Sequence, residues 1–152
     1  MLAEPTLLDT DTLSELSRGH PAVTVRARAY LAEFARFTIS AVTVFEGLRG
    51  YRRAIRAGKR FERQLQAFEA LVAQCIVLPF DQDAADVAAT ILAAVPRARR
   101  THLGDILIGA MAIARQLPLA TRNRRDFRAL SDASGLPLRL VDWATVAKRV
   151  SR

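Results

Sequence analysis

Thr6-Leu7-Leu8-Asp9-Thr10-Asp11-Thr12-Leu13-Ser14-Glu15-Leu16 passes from a short apolar run to two spaced acids and then into a helical pattern. A run of strand length followed at once by helix-capping residues reads as a strand feeding a helix. The same alternation recurs along the chain. Strand-length apolar runs stand at Thr6-Leu8, Phe37-Ser40, Ile76-Phe80, Pro118-Thr121 and Leu138-Val141. Between them, Phe61, Leu65, Phe68, Leu71 and Val72 recur at helical spacing. Pro21 can open a helix that runs to Arg36, and Asp83 to Val95 makes another that Pro96 ends. Helices also fit Leu13-Arg18, Val44-Ala57, Asp105-Gln116 and Trp143-Val150. Strand and helix in alternation predict an α/β fold, a central parallel sheet of about four or five strands with helices on both faces. Ligands of such sheets bind at the carboxyl ends of the strands, where Asp9 and Asn123 follow directly from strand ends.

The 152 residues are expected to form one domain, residues 1–152, with no internal repeat or linker. A hydrophobic fraction of 51% excludes a disordered chain. The formal net charge is +8, and only Lys59 and Lys148 are lysines, so the excess is almost wholly arginine. Arginine's planar fork suits bidentate phosphate contacts and base stacking, and a polyanion is the expected partner. Cys75 lies in the apolar run Cys75-Ile76-Val77-Leu78 and reads as a small core hydrophobe. Glu4, Asp9, Asp11 and Glu15 spoil the first twenty residues as a secretory signal. Ile106 to Ala114 is too short to cross a bilayer. A soluble, cytoplasmic protein with no membrane contact is expected.

Four acids border apolar segments: Asp9, Glu46, Asp105 and Asp126. Each has a purely structural alternative. Asp9, Thr10 or Asp11 could cap the following helix, although capping uses one such residue and leaves the others over. Asp11 stands between cap and support for a ligand. Thr43-Val44-Phe45-Glu46 spells a capping box, in which the glutamate reaches back to the cap amide. Asp105 could be a first-turn acid, but Thr101 already offers a cap, and the helix it heads is apolar nearly all round. A carboxylate at the head of a buried helix needs a partner, and a metal is a natural one. Asp126 could be a salt-bridged turn residue after Arg124-Arg125, while Asn123 offers a neutral oxygen nearer the strand end.

In order along the chain, these blocks resemble the PIN-domain ribonucleases, particularly the VapC-type toxins of bacterial toxin–antitoxin pairs. The blocks are Leu7 to Leu16, then Ile39-Ser40-Ala41-Val42-Thr43-Val44-Phe45-Glu46-Gly47-Leu48. Asp105-Ile106-Leu107-Ile108-Gly109-Ala110 and Leu119-Ala120-Thr121-Arg122-Asn123-Arg124-Arg125-Asp126-Phe127 complete them. The resemblance spans Leu7 to Trp143 and implies a PIN-like fold. It also implies metal-assisted hydrolysis of RNA as the toxin of a type II pair, with Asp9, Glu46 and Asp105 holding Mg²⁺ or Mn²⁺. The family's fourth acid maps onto either the Asn123 or the Asp126 position, and only Asp126 is acidic here. Asp11, Thr43, Thr121 and Asn123 are candidates to support these acids through hydrogen bonds. Arg49, Arg122, Arg124 and Arg125, and with them Arg52 and Arg53, are candidates to neutralise RNA phosphates. The resemblance further implies a cognate antitoxin seated in an apolar groove between helices, and a homodimer.

Other functions remain in view. A phosphoacceptor receiver domain would need a lysine after a strand, and neither Lys59 nor Lys148 is so placed. A catalytically silent RNA-binding domain would not need Asp9, Glu46 and Asp105 intact. A PIN-fold nuclease of RNA processing that is not a toxin shares every residue named above. His20 and His102, the only histidines, show no nucleophile–base pattern, and His102 reads as a helix-entry residue.

Overall fold

Leu7 and Leu8 form β1, and β1 is the middle of the sheet. The computed structural model describes residues 4–97 and 102–145. In chain order the elements are β1 (Leu7–Leu8), α1 (Thr10–Ser17), α2 (Pro21–Phe34), β2 (Thr38–Ser40), α3 (Ala41–Arg56), α4 (Glu62–Ala73) and β3 (Ile76–Leu78). They continue with α5 (Gln82–Ala94), α6 (Leu103–Ala114), β4 (Leu119–Ala120), α7 (Arg124–Ser134) and β5 (Leu140–Val141). All strand pairings are parallel, in the order β3-β2-β1-β4-β5. Strand order reverses between β1 and β4, and a cleft opens at such a reversal beyond the carboxyl ends of the strands.

Period-two alternation sends neighbouring side chains to opposite faces. Leu7 and Leu119 pack against α5, α6 and α7, in a core with Ile91, Ile106, Ile108, Met111 and Phe127. Leu8 and Ala120 face the other way, toward Leu13, Val23, Tyr30, Phe37, Ile39 and Trp143. The Tyr30 ring stacks on Phe37 at 5.9 Å and tilts against Trp143 at 5.4 Å. Its hydroxyl accepts from the Thr6 amide at 3.0 Å and so ties α2 to the start of β1. Cys75 is buried, as expected of a small core residue.

Strand and helix order follow the reading of the sequence, and the boundaries shift for local reasons. α1 starts at Thr10, not Leu13, because Asp9 caps it, its side chain accepting from the Thr10 amide at 2.8 Å. α3 starts at Ala41 because Ser40 caps it by accepting from the Thr43 amide at 2.9 Å. That overturns the capping box: Thr43 lies inside the first turn, and Glu46 is released for other work. His20 caps α2 through Nδ1. α7 is not among the expected helices, and it places Asp126 in a first helical turn where a salt-bridged turn residue was the structural alternative. Phe127 and Leu130, buried one turn apart, drive the helix, and Gly135 ends it with φ 69°, a left-handed cap that favours glycine. The expected helix Trp143–Val150 falls beyond residue 145 for most of its length and so lies outside the described residues, as does the expected cap Thr101. Among the described residues, no helix is long and apolar enough to cross a membrane.

Candidate metal centre

The candidate acids Asp9, Glu46 and Asp105 reach the cleft from three different elements. Asp9 leaves the end of β1 and is 3% exposed. Thr121, leaving β4, donates from Oγ1 to its Oδ2 at 2.8 Å. Asp11, in the first turn of α1, accepts from the Arg122 amide at 3.1 Å and lies 3.3 Å from the Thr121 hydroxyl. Asp105 enters from the first turn of α6, where the Asn123 Nδ2 donates to its Oδ2 at 3.3 Å. Glu46 arrives from the second turn of α3.

A line of hydroxyls sets Glu46. Thr10 Oγ1 donates to Glu46 Oε1 at 2.8 Å and stands 3.1 Å from Thr43 Oγ1. Since Thr10 spends its proton on Glu46, Thr43 donates to Thr10, and Ser40 donates to Thr43 at 3.1 Å. Each hydroxyl has one proton, so this is the direction that satisfies all three. On its other side Glu46 is held against Gly104, the residue before Asp105. A Cβ added there would lie 2.9 Å from Glu46 Oε2. Gly104→Ala is therefore expected to displace the Glu46 carboxylate, lowering activity by about tenfold or more. The same change should leave the melting temperature nearly unchanged, because the end of a flexible side chain can give way. Paired activity and melting measurements on this variant check both statements.

Electrostatics mark the cluster as strained. Burial first, then the neighbouring Asp11 and Asp105 charges, push the Asp9 carboxyl up to about 7, against the hydrogen bonds from Thr121 and Thr10 that favour its ionised form. Asp105 is also raised, chiefly by burial and then by Glu46, Asp126 and Asp11, with His102 opposing. Among the described residues, no arginine or lysine forms an ion pair with Asp9, Asp11, Glu46 or Asp105. In a chain of net charge +8, an acid cluster with no arginine or lysine ion pair among the described residues favours a cation.

Among the described residues, no three Asp, Glu, His or Cys side chains stand close enough to hold one ion among themselves. The donor set is all oxygen and hard, which suits Mg²⁺ or Mn²⁺. Mg²⁺ in particular keeps several waters and needs only one or two direct carboxylates. On that chemistry the residues fit a partly hydrated divalent ion.

The remaining predicted residues separate clearly. Asp126 is exposed on α7 but close enough to raise Asp105, and it shares with Asp105, His102 and Arg125 a second hollow of about 360 Å³. Asn123 touches Asp105 directly. Thr43 and Thr121 are fully buried in the supporting network. Arg122 is paired with Glu15, at 3.2 Å. Arg49 lies over the Phe45 ring, 5.4 Å from its centroid, while Arg124 and Arg125 are exposed in the first turn of α7. Sequence reading missed Thr10, Gly104 and Glu15. Only Thr10 carried a signal, as the middle of Asp9-Thr10-Asp11.

A PIN domain family model matches residues 6–133. No curated protein sequence matches the chain. Several solved structures share its architecture. A chain of the DNA-bound VapBC structure from Salmonella typhimurium aligns with a TM-score of 0.74 at 24% identity, over 91% of this chain and 98% of that one. VapBC-1 from nontypeable Haemophilus influenzae gives a TM-score of 0.75 at 20% identity, covering 93% and 100%. FitAcB from Neisseria gonorrhoeae gives 0.62 at 23% identity, covering 93% and 99%. At such identities the likeness carries the fold.

Proposed function

The chain belongs to the PIN domain family, and from that premise we propose that it is a metal-dependent ribonuclease acting as the toxin of a type II toxin–antitoxin pair. The observation that carries the reading is the cluster of Asp9, Asp11, Glu46 and Asp105 at the strand-order reversal, with no arginine or lysine ion pair among the described residues of a basic chain. Asp9 and Asp105, with Glu46 nearby, would hold a partly hydrated Mg²⁺ or Mn²⁺, which would lower the pKa of bound water and stabilise a leaving oxygen.

The protein's own part is to fix those oxygens before substrate arrives. Thr121 and the Thr10 amide hold the two oxygens of Asp9. Thr10, backed by Thr43 and Ser40, fixes Glu46, and the Asn123 amide fixes Asp105. With a carboxyl pKa near 7, Asp9 carries a proton in a large fraction of metal-free molecules at neutral pH. Binding a cation would release it. Arg124 and Arg125, exposed and in no ion pair among the described residues, would meet phosphates flanking the cut, and Arg49 would do so from its place over the Phe45 ring.

Asp126 supplies negative charge toward Asp105, whereas Asn123 positions it. Asp126→Ala is expected to weaken Mn²⁺ binding and cleavage more than Asn123→Ala, by several-fold. Calorimetric titration with Mn²⁺ beside a cleavage assay checks this, and the reverse ranking would assign completion of the site to the amide.

A groove of about 650 Å³ between α1, α3 and α4 is lined by Leu13, Gly47, Tyr51 and Phe68 and includes Thr10 and, of the acid cluster, Glu46. An antitoxin segment lying there could bring a basic side chain to Glu46. The structures similar in fold include VapBC complexes, which supports that assignment. The chain is further proposed to act in the cytoplasm as a homodimer. The direct test of the nuclease reading is purified protein with labelled single-stranded RNA. Cleavage should appear with Mg²⁺ or Mn²⁺ and vanish with chelator, and cleavage unaffected by chelator would sink it.

A further inference from the structure

Three consecutive residues after β4 each take hold of a different part of the acid cluster. Thr121 donates to Asp9, the Arg122 amide donates to Asp11, and the Asn123 side chain donates to Asp105. The Asn123 amide also donates to Thr121 Oγ1 at 3.0 Å, so the segment moves as a unit. Its outward side chain, Arg122, is anchored on α1: NH1 meets Glu15 Oε1 at 3.2 Å. Glu15 accepts from Arg18 through the same oxygen, also at 3.2 Å.

We propose that Glu15 is a positioning residue of this site, holding through Arg122 the Thr121–Asn123 segment that orients Asp9 and Asp105. The proposal rests on the reading of the cluster as a cation-binding nuclease site. Glu15 is one turn beyond Asp11 on α1, so one helix grips the segment twice, at the Arg122 amide and at its guanidinium. The guanidinium contact adds a second hold from α1 to a segment whose Thr121 amide already donates to the Val141 carbonyl at 3.0 Å, and among the described residues it is the one contact that fixes the Arg122 side chain to α1. Second contacts of this kind orient ligating carboxylates and are commonly worth about 10- to 100-fold in metal affinity or activity. The pair is too exposed to matter much for folding, the Arg122 side chain being 49% exposed and that of Glu15 17%. A large functional effect from so weak a structural contact would therefore report positioning.

Glu15→Ala, Arg122→Ala and the double variant test this, with Arg18→Ala as the control that removes only the other ion pair. Mn²⁺ alone is titrated against the melting temperature of each protein, and RNA cleavage is measured separately. Each single variant should need about tenfold or more Mn²⁺ for the same thermal shift and lose kcat to a similar degree. KM for RNA should hold. The double variant should lose no more than the worse single, because both act through one path. Metal-free melting temperatures should stay within about 3 °C of wild type, Arg18→Ala should match wild type throughout, and the isosteric Glu15→Gln should follow Glu15→Ala in direction. A Glu15→Ala protein with the wild-type Mn²⁺ response and kcat overturns the proposal alone. So does an effect confined to KM and salt dependence in Arg122→Ala, which would put Arg122 on a phosphate. A wild-type chain indifferent to Mn²⁺ overturns this and the nuclease reading together.

Discussion

Asp9→Asn is expected to stabilise the metal-free protein at neutral and alkaline pH while removing its activity. Asp9 is buried among like charges, and its carboxyl pKa is raised from 3.8 to about 7. The folded state therefore binds the proton more tightly than the unfolded chain does. Stability linked to that proton is fully present below pH 3.8 and is lost as pH rises through 7. A shift of this size corresponds to about 4 kcal/mol. Asparagine can still accept from the Thr10 amide and can meet Thr121 with its other end, so the charge is removed with little loss of hydrogen bonding. At pH 8 the variant should melt roughly 5 °C or more above wild type, and the difference should close toward pH 4. Cleavage should fall about 10³-fold, since a carboxylate on the cation has gone. Melting curves across this pH range and a cleavage assay read the two effects together. A variant less stable than wild type at pH 8 would mean that Asp9 is a structural cap and no strained ligand.

Expression of the chain by itself should arrest growth, and expression with its partner should not. On the proposed reading, an open acid cluster on a basic protein would meet abundant RNA in a cytoplasm, and the nuclease would have to be restrained. A basic side chain delivered along the groove between α1, α3 and α4 would pair with Glu46 and compete with the divalent ion. The neighbouring upstream reading frame is the place to look for such a partner. Growth curves for the chain alone, with that gene, and as Asp105→Asn separate the cases. Harmless expression of a folded, active protein would end the toxin assignment and leave the nuclease standing.

Much of this was legible because parallel strands covered on both faces read as unbroken apolar runs. Leu7-Leu8, Thr38-Ile39 and Leu119-Ala120 stand out for that reason. Asp9 and Asp105 stood out as candidates beside buried runs, although each also had a capping or first-turn explanation, and Asp9 does cap α1. Boundaries were harder, since two-residue strands leave little pattern and Ser40 serves at once as strand end and helix cap. α7 was hidden by Arg124-Arg125-Asp126, whose charges masked the buried pair Phe127 and Leu130. Glu46 shows how a local motif misleads. Thr43 and Glu46 have capping-box spacing, yet Glu46 bonds to Thr10, 36 residues away. Gly104 beside Glu46 and Glu15 beside Arg122 are likewise consequences of topology, with nothing local to announce them.

On the proposed reading, Asp105 and its neighbours would hold a divalent cation at a site that hydrolyses RNA. Asp105→Asn keeps the side-chain volume and removes the charge, so a comparison of Mn²⁺ binding by calorimetry with RNA cleavage on the same samples tests the claim at one atom. Wild type should bind Mn²⁺ and cleave, while the folded variant should do neither. A folded Asp105→Asn protein that cleaves RNA at the wild-type rate in Mn²⁺ would contradict it.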